Sequence, residues 1–208
     1  MKPHEIEKRS MEIIESELGD RTFKEPEFSV IKRCIHTSAD FDYADNLKFS
    51  EESVRKGIEA IKRGASIVTD TNMAFSGVNK SILAQFGGKA YCFMADEDVA
   101  IEAKEREVTR SIVCMERGAK LEGEVIFAIG NAPTALIRLC ELIQEGKIKP
   151  SLIIGAPVGF VNVLESKEML EHTDVPYIIA GGRKGGSNIA AAICNAMIYI
   201  AKAESQEG

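Results

Sequence analysis

Apolar positions recur along this chain at two alternating periods. Helical spacing comes first: Ile6, Ile13, Ile14 and Leu18 share one face of a segment spanning residues 3–18. Phe28, Ile31 and Ile35 make the stripe of a second helix, from Pro26 to about Ile35. After the acidic stretch Asp40–Asp45 a short strand is expected near Leu47–Phe49. Ser50 then reads as a helix cap, with Glu51 and Glu52 in the first turn. Ser66–Thr69 reads as a strand, Val78–Phe86 as a helix and Lys89–Met94 as a strand. One or two charged helices fill residues 98–117 and stop at Gly118.

The second half repeats one pattern. VIFAIGNAPTAL (Val125–Leu136), LIIGAPVGFVNVL (Leu152–Leu164) and YIIAGGRKGGSNIA (Tyr177–Ala190) each pass from an apolar run through a glycine turn into an amphipathic segment. The last helix is expected to reach about residue 202, with a polar tail after Ala203. About six strands with interleaved helices are too few for an eight-fold barrel. They predict an α/β fold: a three-layer, doubly wound, mostly parallel sheet. Such a sheet binds ligands where strand carboxyl ends meet helix amino ends, and the N–H groups there favour anions. Three such turns imply a large ligand with several negative groups.

A chain of 208 residues, 45% hydrophobic, is read as a single domain over 1–208, without linker, repeat or low-complexity tract. No apolar run approaches the ~20 residues that cross a membrane. The amino terminus lacks the apolar core of a signal peptide, so a cytoplasmic location is expected. Five widely spaced cysteines among apolar neighbours (Cys34, Cys92, Cys114, Cys140, Cys194) read as reduced packing residues. No Cys/His pair has metal-ligand spacing. A net charge of −6 with scattered basic residues argues against nucleic-acid binding. An anionic ligand therefore needs local cations at the glycine turns.

Those cations are present. In GGRKGGS, Arg183 and Lys184 stand between glycine pairs, where Gly185 and Gly186 let the backbone approach a ligand and Ser187 or Asn188 can cap the last helix. A tight turn with solvated charges explains the motif equally well. In GNAPTAL, Pro133 suits a first helical turn, and Asn131 and Thr134 would face the strand end. Val158-Gly159-Phe160 places apolar residues where a turn is normally polar, a wall for a flat organic ligand. No P-loop or dinucleotide fingerprint is present, which disfavours a nucleotide-binding protein of this fold. Arg110 in VTRS is a further anion clamp or a surface arginine. Thr69-Asp70-Thr71 either offers polar contacts or caps the next segment. His4 and His172 lie in charged surroundings and read as solvated. His36 in RCIHTSAD can serve as a proton donor, but spacing alone favours a half-buried, hydrogen-bonded histidine.

Taken together, RCIHTSAD, VTDTNMAFSGVNK, TRS, GNAPTAL, GAPVGFVNVLESKEML and GGRKGGSNIAAAICNAM, in this order and at these intervals, resemble the precorrin-8X methylmutases and their cobalt-precorrin-8 relatives. The resemblance runs from about Ser10 to Ala196. It implies a step of cobalamin biosynthesis, in which a methyl group moves from C-11 to C-12 of the macrocycle to give hydrogenobyrinate or cobyrinate. It also implies a flavodoxin-like fold, a homodimer and no cofactor or metal, because a sigmatropic [1,5] shift is internal to one molecule. The family's catalytic histidine falls on His36, which replaces the structural reading, and its role is to protonate or hydrogen-bond a ring nitrogen. Arg110, Arg183, Lys184 and the glycine turns would meet the peripheral carboxylates. The flat ring would lie on Val158-Gly159-Phe160, with Ser10, Thr37, Thr69 and Thr71 at its edge. Hand-off of the ring to neighbouring pathway enzymes is expected. The alternative is a non-catalytic tetrapyrrole carrier of the same fold.

Overall fold

Four strands with nearly every side chain buried, on both faces, force this chain into three layers. The computed structural model describes residues 3–207, with side chains from 5 to 206, so the side chain of His4 lies outside it. The first half contains α1 (Pro3–Leu18), α2 (Glu27–Ser38), α3 (Tyr43–Asn46), β1 (Leu47–Phe49), α4 (Ser53–Lys62), β2 (Ser66–Thr69), α5 (Asn72–Gly77), α6 (Lys80–Gln85) and β3 (Ala90–Tyr91). There follow α7 (Glu97–Glu105), α8 (Arg110–Gly118), β4 (Val125–Ile129), α9 (Pro133–Gln144), β5 (Leu152–Gly155), α10 (Val163–Glu171), β6 (Tyr177–Ala180) and α11 (Ser187–Glu207).

The six-stranded sheet has the order β1-β6-β5-β4-β2-β3. All pairs are parallel except β1 with β6. Numbering the parallel strands alone gives 2-1-3-4-5, the flavodoxin-like order, whose reversal point lies between β2 and β4. Along β4 the side chains alternate between two cores. Ile126 and Ala128 join Ile67, Ile154 and Ile178 beneath α2, α4 and α11. Val125, Phe127 and Ile129 join Val68, Ile153 and Ile179 beneath α8 and α9. Four cysteines are buried and Cys92 is half-buried, all as free thiols.

The expected elements are present with local differences. Ser50 does not cap α4: its N–H and hydroxyl extend the β1–β6 pairing to Tyr177, and Glu52, at φ +55°, is the residue before the helix. Glu51 and Glu52 thus lie outside the first turn. The Val78–Phe86 helix is shorter, Lys80–Gln85, with the Asn79 side chain accepting the Ile82 N–H at its start, and a short helix the sequence did not announce, Asn72–Gly77, precedes it behind Thr71. The Lys89–Met94 strand shrinks to Ala90–Tyr91 at the sheet margin. The charged segment after residue 97 is two helices, broken where Glu107 takes φ +52°. α2 extends through His36 to Ser38, and α11 runs past residue 202 to Glu207.

The glycine turns draw the strand ends together. Gly186 donates its N–H to Ala156 O at 2.8 Å, and a Cβ on Gly185 would lie 2.2 Å from that same oxygen. Gly185 also has φ +156°. Replacing Gly185 with alanine should therefore cost about 2–3 kcal/mol in backbone strain. That corresponds to a thermal midpoint roughly 4–12 °C lower for a chain of this size, and a melt within 2 °C of the parent would refute the close approach.

Candidate active site

The carboxyl edge of the sheet brings together most of the residues singled out from the sequence. At the reversal point an open cleft of about 590 Å³ is lined by Asp70, Thr71, Arg110, Asn131 and Thr134, with Thr109 and Ser111. Its polar wall is a hydroxyl cluster. Ser111 Oγ lies 2.8 Å from both Thr109 Oγ1 and Thr134 Oγ1, and Thr109 and Thr134 are 3.2 Å apart. Arg110 begins α8 beside them and is exposed. Thr71 closes the far side: its hydroxyl accepts from Ala74 N at 3.1 Å and meets the Ser187 hydroxyl at 2.7 Å. Ser187 is thus turned toward Thr71 and begins α11, with Gly186 O accepting the Ala190 N–H.

Asp70 determines the geometry of this cleft. It is 1% exposed, and its carboxylate accepts N–H bonds from Gly130 (2.8 Å), Asn131 (2.8 Å) and Ala132 (2.6 Å). Burial pushes its pKa above the ordinary carboxylate range, and these three donors oppose the rise. The GNAPTAL turn is consequently no free anion site, contrary to expectation, because the carboxylate of Asp70, the residue after β2, already accepts its N–H groups. Thr69 is also displaced from its expected role. It is fully buried, donating its hydroxyl toward Thr71 O and Tyr91 O, so it shapes the turn without reaching the cleft.

Farther along the edge lies the GGRKGGS turn. Lys184 Nζ donates to Asp40 and Asp42 at 2.6 Å each, which raises its own pKa and lowers that of Asp40. Its charge is spent on joining this turn to the loop that follows α2, so it is not a free anion clamp. Arg183 is exposed, its guanidinium 5.7 Å from the centre of the Phe160 ring. Phe160 is 83% exposed and Val158 and Val161 are exposed too, so the expected apolar wall is open to solvent. Gly159 is tied to the turn through its N–H to Arg183 O at 3.3 Å.

His36 and Thr37 occupy the last turn of α2, just before the Asp40–Asp42 loop that Lys184 grips. Both are exposed, and His36 makes no hydrogen bond or ion pair among the described residues, unlike a half-buried structural histidine. His172 is exposed, with Nδ1 against Glu168 O at 2.7 Å. Ser10 lies on α1, where its hydroxyl donates to Ile6 O at 2.9 Å, and no hydrogen bond links it to the sheet edge.

One charge pattern sets Arg110 and Arg183 apart. Among the described residues, every other arginine is ion-paired with a carboxylate. The two free guanidinium groups both stand at the carboxyl edge of a protein whose net charge is −6. Sequence reasoning singled out neither Thr109 nor Ser111, and it read Asp70 only as a polar contact or a cap for the next segment. Thr109 and Ser111 flank Arg110 in the motif already noticed, whereas the role of Asp70 is found only through partners some sixty residues away.

Comparison with known proteins gives a consistent result. The family model described as Precorrin-8X methylmutase matches residues 5–200. A protein of Leptospira interrogans named cobalt-precorrin-8 methylmutase is 45% identical over 203 residues, covering 94% of this chain and 92% of that one. One of the same name from Priestia megaterium is 43% identical over 201 residues, covering 97% and 89%. The crystal structure of a precorrin-8x methyl mutase from Thermus thermophilus superposes with a TM-score of 0.87 at 37% identity, covering 96% of this chain and 98% of that one.

Proposed function

The chain belongs to the precorrin-8X methylmutase family, and on that premise we propose how its sheet edge moves a methyl group within precorrin-8. The protein is an isomerase of cobalamin biosynthesis, acting within one substrate molecule. The observation that carries the site assignment is the pair of unpaired arginines. An unpartnered guanidinium in an acidic protein is available for a carboxylate, and a bidentate pair supplies orientation as well as energy. The macrocycle's peripheral carboxylates meet Arg110 and its hydroxyl cluster at one end and Arg183 at the other. Asn131 and Thr71 contact the ring edge, and Val158 and Phe160 cover its flat apolar face. Ser10 and Thr37 close the site from the side of α1 and α2.

His36 then delivers or shares a proton at a ring nitrogen near the migrating methyl. Protonation draws electron density from the conjugated system and lowers the barrier to a shift between adjacent carbons, C-11 to C-12. As the methyl leaves one carbon, the bond to the next forms within the same ring, so no carbon is lost or gained. Holding the ring in one orientation adds to this effect by removing unproductive motions. A second copy of the chain completes the assembly in this reading, covering exposed Val161 and Leu164, and the enzyme works in the cytoplasm. Among the described residues, no helix is long and apolar enough to cross a membrane. The product passes to the next pathway enzyme by transient contact.

The test is anaerobic incubation with precorrin-8 and, separately, its cobalt form, recording the absorption spectrum and product mass. A spectral change at constant mass establishes the shift and identifies the metal state accepted. Binding of both forms without conversion of either would leave only a carrier. Arg110→Met and Arg183→Met should each raise KM about tenfold, the loss of one charge-assisted hydrogen bond. Unchanged KM in both variants would place the carboxylates elsewhere.

A further inference from the structure

Lys167 lies on α10, outside the cleft, and is 3% exposed. Its Nζ is 2.8 Å from Gly182 O and 2.8 Å from Lys184 O, so one ammonium bridges both ends of the segment that displays Arg183. No carboxylate pairs with it among the described residues. We propose that Lys167 is a positioning residue that fixes the Gly182–Lys184 turn from beneath and thereby aims the Arg183 guanidinium at a substrate carboxylate. This rests on the reading that Arg183 binds substrate.

A buried ammonium without a counter-ion is expensive, and burial lowers the Lys167 pKa to about 8. A methionine of similar length would fill the same space without that cost, so packing alone does not explain a lysine here. What the ammonium adds is two directed donors to carbonyls of one turn. Such donors matter because Gly182 sits at φ +64° and Gly185 at φ +156°, conformations that give the turn little intrinsic rigidity. From the other side Lys184 is anchored to Asp40 and Asp42. Arg183 is then the one side chain of the pair without a carboxylate partner, held between two fixed neighbours with its guanidinium over the Phe160 ring.

The experiment compares Lys167→Met, Lys167→Arg and Arg183→Met in anaerobic steady-state assays, using whichever metal form the parent turns over faster. Circular dichroism and a thermal melt establish the folded fraction. Lys167→Met should raise KM about tenfold with kcat within about threefold, and Lys167→Arg should recover part of the loss by keeping a charged donor. If the methionine variant does not accumulate as folded protein, Lys167→Leu, which also removes both donors, is read in its place. Unchanged KM in Lys167→Met with raised KM in Arg183→Met would overturn the positioning role while leaving the site assignment standing. Unchanged KM in both would overturn both. A fall in kcat alone, or no recovery by arginine, would also overturn the proposal.

Discussion

His36→Ala is expected to abolish turnover while leaving the folded protein and its affinity for the macrocycle nearly intact. The side chain is exposed and makes no hydrogen bond or ion pair among the described residues, so its removal should change stability by no more than about 0.5 kcal/mol. Any lost activity then reports chemistry. A general acid contributes roughly 10²–10⁴-fold, so kcat should fall by that factor with the binding constant within about threefold. A fluorescence or absorbance titration of the variant, read beside single-turnover conversion, separates the two quantities. Conversion at the parent rate would mean that the proton comes from another group or that none is needed.

Asp70→Ala should be the most damaging single change to the fold near the site. Three N–H groups in the turn before α9 lose their acceptor: the bond from Gly130 is buried, and those from Asn131 and Ala132 are half-buried at the cleft. An orphaned buried donor costs about 1–3 kcal/mol and the two that water can reach cost less, so the total is roughly 2–4 kcal/mol. That is a large share of the stability of an ordinary domain. Chemical denaturation should show a lower midpoint at an unchanged slope. Asp70→Asn should fall between, since its amide oxygen can accept but its NH2 faces further donors. A midpoint unaffected by the alanine change would show that water replaces the carboxylate.

How legible all this was depends on the range of each interaction. The strand–glycine–helix units were readable because β-branched runs, glycine punctuation and helical periodicity are local, and β4, β5 and β6 lie where those signals put them. His36, Arg110 and Arg183 were found by motif, which is also local. Ser50 was misread because a serine before two glutamates is a good cap, yet its hydroxyl is claimed by Tyr177, 127 residues away. Lys184 was assigned to the ligand because its partners, Asp40 and Asp42, are remote in sequence. Asp70 and Lys167 are the clearest cases. One sits between threonines and the other in a charged helix, and neither position signals that the side chain will be buried against backbone from another strand or turn.

The antiparallel strand β1 has a consequence beyond the site. Its three residues cover β6, whose sequence YIIA is apolar and β-branched, and at the opposite margin β3 is only two residues long. Long, flat, apolar margins recruit foreign strands, and short ones do not. A version lacking only Leu47–Phe49 would expose the Tyr177–Ala180 backbone as a template for intermolecular pairing, and should precipitate at concentrations the full chain tolerates. The ribbon from α3 to Ser50 thus acts as a guard against self-association of the strand that leads into the GGRKGGS turn.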